Sequence, residues 1–243
     1  RDAQESRGLG DVYKRQICYN SFIKLYILHK EVITMGNNVV ITIGREFGSG
    51  GREIGKKVAD RLGIKFYDKE LLQEAAKESG FCREIFENQD EKPTNSFLYS
   101  LVMDTYSING YSSAPFLDMP LNHKVFLAQF ETIKKIAEKE SCVIVGRCAD
   151  YALAENPNCI NVFIHADKEF RTKRVAAELQ VNESKAKDAI QKKDKQRASY
   201  YNYYTSKKWG DSRSYHLTLD SSALGIDKCV EMILQYRALY LMK

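Results

Sequence analysis

Proline is scarce in this chain of 243 residues: there are four, three of them between positions 88 and 122. Elsewhere the sequence is nearly clear of the residue that breaks helices and interrupts interior strands. The stretch 88–122, rich also in Asn, Ser and Tyr, is its least regular part. Cysteine is sparse too. The six cysteines include no C-x-x-C pair and no ligand spacing, which argues against both a zinc module and a disulfide framework. Long apolar runs are also missing. Residues 17–34 are more apolar than the polar stretch 1–16, but Lys24, His29, Lys30 and Glu31 interrupt them. They suit neither a bilayer span nor a signal-peptide core, so no membrane attachment is expected. The thiols read as reduced and the protein as cytoplasmic.

An excess of one charge is absent as well. The net charge is +5, and residues 1–34 account for part of it with six Lys/Arg against four Asp/Glu. What remains is too small to make nucleic-acid binding the main activity. The cations are concentrated instead: residues 167–213 hold thirteen Lys/Arg against seven Asp/Glu, on an otherwise mildly acidic body. Such a local segment suits a small polyanion. Internal repeats and low-complexity segments are lacking, and nothing in the sequence speaks to the oligomeric state.

The most informative stretch present is VVITIGREFGSGGREIGKKVADRLG, residues 39–63. Val39–Ile43 are almost all β-branched and stop at glycine, as a buried strand does. Gly44, Gly48, Gly50 and Gly51 follow, and Ile54, Val58, Ala59 and Leu62 then recur at helical spacing. A strand turning through glycines into a helix leaves N–H groups and the positive end of the helix dipole facing outward, which binds phosphate. The turn departs from the Walker pattern G-x-x-x-x-G-K-[ST]. Gly51 stands where the lysine belongs and Glu53 near the hydroxyl, with Arg45 and Arg52 the nearest cations.

Further on, strand and helix patterns alternate. Strands are expected at Ile64–Tyr67, Cys142–Val145, Ile160–Ile164 and Tyr215–Leu219. Helices are expected from Lys69 to Lys77 and over His123–Lys139, Glu169–Leu179, Glu183–Tyr204 and Ile226–Leu239. The fold class is therefore α/β, a five-stranded parallel sheet flanked by helices. Residues 1–34 are expected to lie outside the domain, as sequence upstream of a start at Met35; residues 35–243 form it, with an insertion at about 80–122.

Ligands of open parallel sheets bind beyond the carboxyl ends of the strands. The second expected strand ends at Asp68, and the third delivers Gly146, Arg147 and then Asp150. An arginine there suits an acceptor's phosphate, and a carboxylate its hydroxyl or amine. Arg171 and Arg174 lie three apart on one helix face, as do Asp194 and Arg197, in a segment fit to serve as a basic lid over residues 167–213. YYNYY at 200–204 reads as packing rather than base stacking.

The runs ITIGREFGSGGREIGKK, FYDKELL and VIVGRCADYAL resemble the cytidylate kinase-like proteins, relatives of the P-loop nucleoside-monophosphate kinases. The resemblance covers roughly Met35 to the C-terminus. It implies an ATP- and magnesium-dependent phosphoryl transferase whose partners are small-molecule nucleotides. ATP would lie on Gly48, Ser49, Gly50, Gly51 and Arg52. Arg147 matches the arginine of the family's G-R-D segment, Asp68 opens its nucleotide-contacting segment, and Asp194 and Arg197 match its R-D-x-x-R lid. Asp68, Arg147, Asp150 and Asp194 are thus the expected acceptor residues, and Arg52, Arg174 and Arg197 the expected catalytic cations. CMP or dCMP is the first acceptor to consider. Another small metabolite, or nucleotide binding without transfer, are the alternatives. No magnesium ligand can be read from the sequence.

Overall fold

Val40–Arg45 forms the central strand, β1, because its side chains are apolar on both faces and both faces are covered. The computed structural model describes residues 38–68, 71, 73 and 121–242. After β1 come α1 (Gly51–Leu62), β2 (Lys65–Tyr67), α2 (Leu121–Lys139), β3 (Cys142–Val145) and α3 (Ala149–Ala152). The chain continues through β4 (Cys159–His165), α4 (Lys168–Leu179), α5 (Glu183–Thr205), β5 (Leu217–Asp220), α6 (Ser221–Leu224) and α7 (Ile226–Tyr240). The five strands are parallel in the order β2-β3-β1-β4-β5, with Val40 level with both Cys142 and Cys159.

Alternation along the strands sends side chains to two cores. Ile41, Ile43, Val143, Val145 and Val162 pack against Ile54 and Val58 of α1 and Val230 and Ile233 of α7. Val40, Cys142 and Ile144 pack on the other face against Ile133, Ile136 and Ala137 of α2 and Ala149 and Ala152 of α3. The sheet, its parallel sense and its flanking helices are as the sequence leads one to expect. Asn182 caps α5 as expected, its side chain accepting from the Lys185 N–H.

Small differences have local causes. β5 begins at Leu217 rather than Tyr215, because a 3₁₀ turn at Ser212–Ser214 precedes it and Tyr215 accepts its role as that turn's cap. α3 and α6 have four residues each, too few to produce a periodic signal. The expected helix at Lys69–Lys77, apart from residues 71 and 73, residues 1–34 and the insertion at 80–122, apart from residues 121 and 122 that open α2, lie outside the described residues. Among the described residues, no helix is long and apolar enough to cross a membrane.

α2 meets the end of α5 through a ring cluster that makes stability depend on pH. His123 is buried at 1% exposure, stacked on Tyr203 at 6.0 Å and edge-on to Tyr204 at 5.9 Å. Burial lowers its pKa from 6.5 to about 4, so the folded protein holds it neutral. The unfolded chain takes up that proton first as pH falls, so stability declines as pH drops from about 6.5 toward 4. Thermal melts across this window should show the decline, and His123→Phe should flatten it. An unchanged slope in the phenylalanine variant would rule out His123 as the source.

Candidate active site

The glycine turn between β1 and α1 is built from backbone that only glycine adopts cheaply: φ is 82° at Gly48 and 77° at Gly50. It is packed closely on the outside. A Cβ on Gly50 would lie 2.4 Å from Ile226 Cδ1, and one on Gly48 would lie 2.8 Å from Val175 Cγ2. Ser49 is fully buried; its hydroxyl donates to the Glu46 carbonyl at 2.9 Å, and its own carbonyl accepts from Ser221 Oγ at 2.6 Å. Gly50 then caps α1, whose first N–H groups have no partner within the helix. That is the geometry of an anion cradle.

The expected lid is α4 and α5, and both helices are tied to this turn. Asp194 accepts from the Phe47 N–H at 2.8 Å and also from Arg171 Nη1. Arg171, itself buried, approaches Glu46 with Nε at 3.4 Å, and Glu46 accepts from the Ala166 N–H at 3.1 Å. The Phe47 ring joins Val175, Ala186 and Ile190 in an apolar cluster, and the Arg197 guanidinium lies 5.6 Å from its centroid. Arg197 Nη1 donates to the Arg45 carbonyl at 3.2 Å, and Arg174 Nη2 donates to Glu53 at 3.0 Å. Arg174 and Arg197 thus both face the turn. Asp194, expected on the acceptor side, sits on the glycine turn instead, because α5 crosses above Phe47.

The residues expected to hold an acceptor lie at the ends of β2 and β3. Gly146, Arg147 and Cys148 are three successive left-handed residues, with φ of 77°, 54° and 55°. For non-glycine residues this conformation is strained, which is most common where a side chain must be aimed. Arg147 is aimed inward: it is 4% exposed, and Nη1 donates to Asp68 Oδ1 and to the Val145 carbonyl, each at 3.2 Å. Arg52 Nε reaches the other oxygen of Asp68 at 2.6 Å, so one carboxylate joins the first turn of α1 to the end of β3. Burial alone would raise the Asp68 pKa, but the Arg147 charge, the Arg52 hydrogen bond and the Arg45 charge hold it below the usual range.

Asp150 lies beside this pair. Burial raises its pKa, and Tyr201 donates to its Oδ2 at 2.6 Å. Burial likewise raises Tyr201 and its neighbour Tyr215. Arg45, Arg147, Arg197, Asp150, Tyr201 and Tyr215 line one cavity of about 20 Å³, with Tyr200 and Trp209 also in its wall. That volume admits roughly one water.

The structure therefore gathers Gly48, Ser49, Gly50, Gly51 and Arg174 at the turn, and Arg147 and Asp150 in the adjoining cavity, with Arg197 lining the cavity beside the turn. Arg52 turns toward Asp68 rather than over the turn. Glu46 leaves no signal in the sequence, Tyr201 reads only as packing and Arg171 only as a lid cation, because spacing alone cannot tell a buried ion pair from a solvated face. For magnesium, the donor set offers no ready cage. Among the described residues no three His, Cys, Asp or Glu side chains group to hold a metal. Glu46, Glu53, Asp68 and Asp194 are each engaged by cations or N–H groups.

A parallel sheet in this order, with a glycine turn after its central strand and arginines at the neighbouring strand end, has the fold of a P-loop kinase. The chain belongs to the cytidylate kinase-like family, which it matches over residues 40–223, and is thus kinase-like and phosphotransferase-like in descent. It is 36% identical to an uncharacterized protein from Eubacterium ventriosum ATCC 27560, over 82% of this chain and 98% of that one, with a TM-score of 0.62. More distant likenesses include a shikimate kinase from Bacteroides thetaiotaomicron, 16% identical over 82% of this chain and 97% of that one, with a TM-score of 0.47. A gluconokinase from Sinorhizobium meliloti 1021 is 13% identical over 84% and 97%, with a TM-score of 0.45. No curated protein matches the chain.

Proposed function

We propose that this protein transfers a phosphoryl group from ATP to a nucleoside monophosphate, CMP or dCMP first. The observation that carries this reading is Arg147. A strained left-handed turn holds its guanidinium against Asp68, beside a cavity that Arg45, Arg147 and Arg197 line next to the glycine turn. A planar fork so held suits a phosphate better than a neutral group. The turn and the first N–H groups of α1 receive the donor's phosphates, with Arg174 exchanging Glu53 for them. Magnesium, the usual companion of such nucleotides, would take the phosphates as its main ligands rather than a protein cage.

Arg147 holds and orients the acceptor phosphate, and Asp150 with Tyr201 faces its sugar or base. A phosphate oxygen is already nucleophilic, so no side chain has to remove a proton from it. The cavity is too small for a mononucleotide as it stands, so α5 must lift to admit the acceptor and settle again to exclude water. A second reading, nucleotide binding without transfer, has one observation in its favour: Gly51 stands where the Walker lysine would be.

ADP release from ATP, measured against a panel of nucleotides and small metabolites, decides between these. Fastest release with CMP or dCMP supports the proposal. Release with a different metabolite would reassign the acceptor, and ATP binding with no release in any mixture would favour the regulatory reading. Gly50→Val tests the donor side. A β-branched side chain at positive φ, pressed on Ile226, closes the turn. ATP affinity should fall at least tenfold, about 1.4 kcal/mol. A folded variant with normal ATP affinity would reduce the turn to a structural element.

A further inference from the structure

We propose that Arg45 takes the part of the missing Walker lysine, its guanidinium supplying the positive charge for the nucleotide's terminal phosphates. This rests on the phosphotransferase reading above. The lysine's position is Gly51, and that position is closed. A Cβ on Gly51 would lie 2.5 Å from Arg45 Cβ, 3.2 Å from Arg45 Cγ and 3.3 Å from Ile164 Cβ. Arg45 Cβ cannot swing aside, because it is fixed to the backbone at the end of β1. There the residue pairs with Ile164 of β4, and its carbonyl accepts from Arg197. No side chain fits at position 51 without shifting the central strand.

The stem of Arg45 therefore fills the volume from which a lysine's stem would start. The glycine and the arginine are two halves of one arrangement, in which the cation has moved from the helix's first turn to the strand's last residue. Arg45 also lines the cavity that Arg147 lines, beside the glycine turn. The other cations near the turn are placed differently. Arg52 reaches Asp68, Arg171 binds Asp194, and Arg174 pairs with Glu53 on the outer rim. Arg45 alone of these begins where the lysine would begin.

The test is a reciprocal exchange read by calorimetric titration with ATP and AMP. Arg45→Ala should weaken ATP binding at least about tenfold, while AMP affinity, which lacks the terminal phosphates, changes little. Gly51→Lys alone should lower the melting temperature through its clash with Arg45. Arg45→Gly combined with Gly51→Lys should bind ATP better than Arg45→Ala does, because only glycine at position 45 removes the Cβ that lies 2.5 Å from a Cβ at position 51. Should the double variant fail to melt cooperatively, Arg45→Lys replaces it and should keep more ATP affinity than Arg45→Ala. A folded Arg45→Ala that binds ATP as the wild type does overturns the assignment. So does a folded double variant no better than Arg45→Ala, or an Arg45→Lys that loses as much affinity as the alanine. If the wild type itself binds no ATP, the phosphotransferase reading falls. If it binds ATP and Arg45→Ala binds it equally, that reading stands and only the role of Arg45 falls.

Discussion

Asp194→Ala should destabilise the folded protein by about 3–5 kcal/mol, the usual cost of removing one partner from a buried ion pair. The Arg171 side chain is only 7% exposed, and Asp194 is its shortest contact; Glu46 remains, at 3.4 Å. The same substitution removes the acceptor of the Phe47 N–H, which holds the glycine turn against α5. Both losses fall in one place, so α4, α5 and the turn should loosen together. For a domain of this size 1 kcal/mol corresponds to roughly 2–4 °C, so a fall of about 10 °C in Tm is expected. Urea unfolding gives the free energy directly. Replacing the pair as a whole, with Asp194→Leu and Arg171→Met, should recover much of the loss, because the buried guanidinium is gone and Glu46, partly exposed, keeps the Ala166 N–H. If Asp194→Ala melts within a degree or two of the wild type, the carboxylate is not what ties α4 and α5 to the turn.

How far the sequence discloses this arrangement depends on the kind of signal each part leaves. β1 and β3 are visible because strands buried on both faces are continuous apolar runs, and the glycines mark where β1 ends. The ends of those strands bring Arg147 and the turn to one edge of the sheet, so topology alone brings the candidate residues together. The partners of each side chain are another matter. Asp194 and Arg197 sit three apart and share a helix face, yet one binds the turn's backbone and the other lines the cavity. Which of these happens depends on how α5 crosses Phe47, and periodicity carries no information about crossing. The same holds for Arg45. Its sequence position says only that it follows a strand, whereas the closed volume at Gly51 exists only once β4 brings Ile164 alongside. Tyr201 could be recognised as buried but not as the donor to Asp150, since that contact joins residues 51 positions apart.

The acceptor assignment rests most heavily on Arg147, and its replacement by lysine separates charge from geometry. Arg147→Lys keeps a cation beside Asp68, so the ion pair survives in kind and the fold should hold. What it removes is the planar fork able to grip a phosphate by two parallel hydrogen bonds, which an ammonium cannot reproduce. Hydrogen bonds to charged groups contribute about 1.5–3 kcal/mol each. The loss of one such bond should lower kcat/KM for the acceptor by roughly ten- to a hundredfold. ATP affinity should change little, because the place proposed for the donor's phosphates is the turn and not β3. Steady-state kinetics with the best acceptor from the ADP-release panel, and ATP titration of the same variant, read the two quantities separately. The asymmetry is the decisive feature. An arginine that only braces Asp68 would move both quantities through Arg52 and α1, or neither. Near-normal transfer by Arg147→Lys to every working acceptor would mean that the acceptor phosphate binds elsewhere.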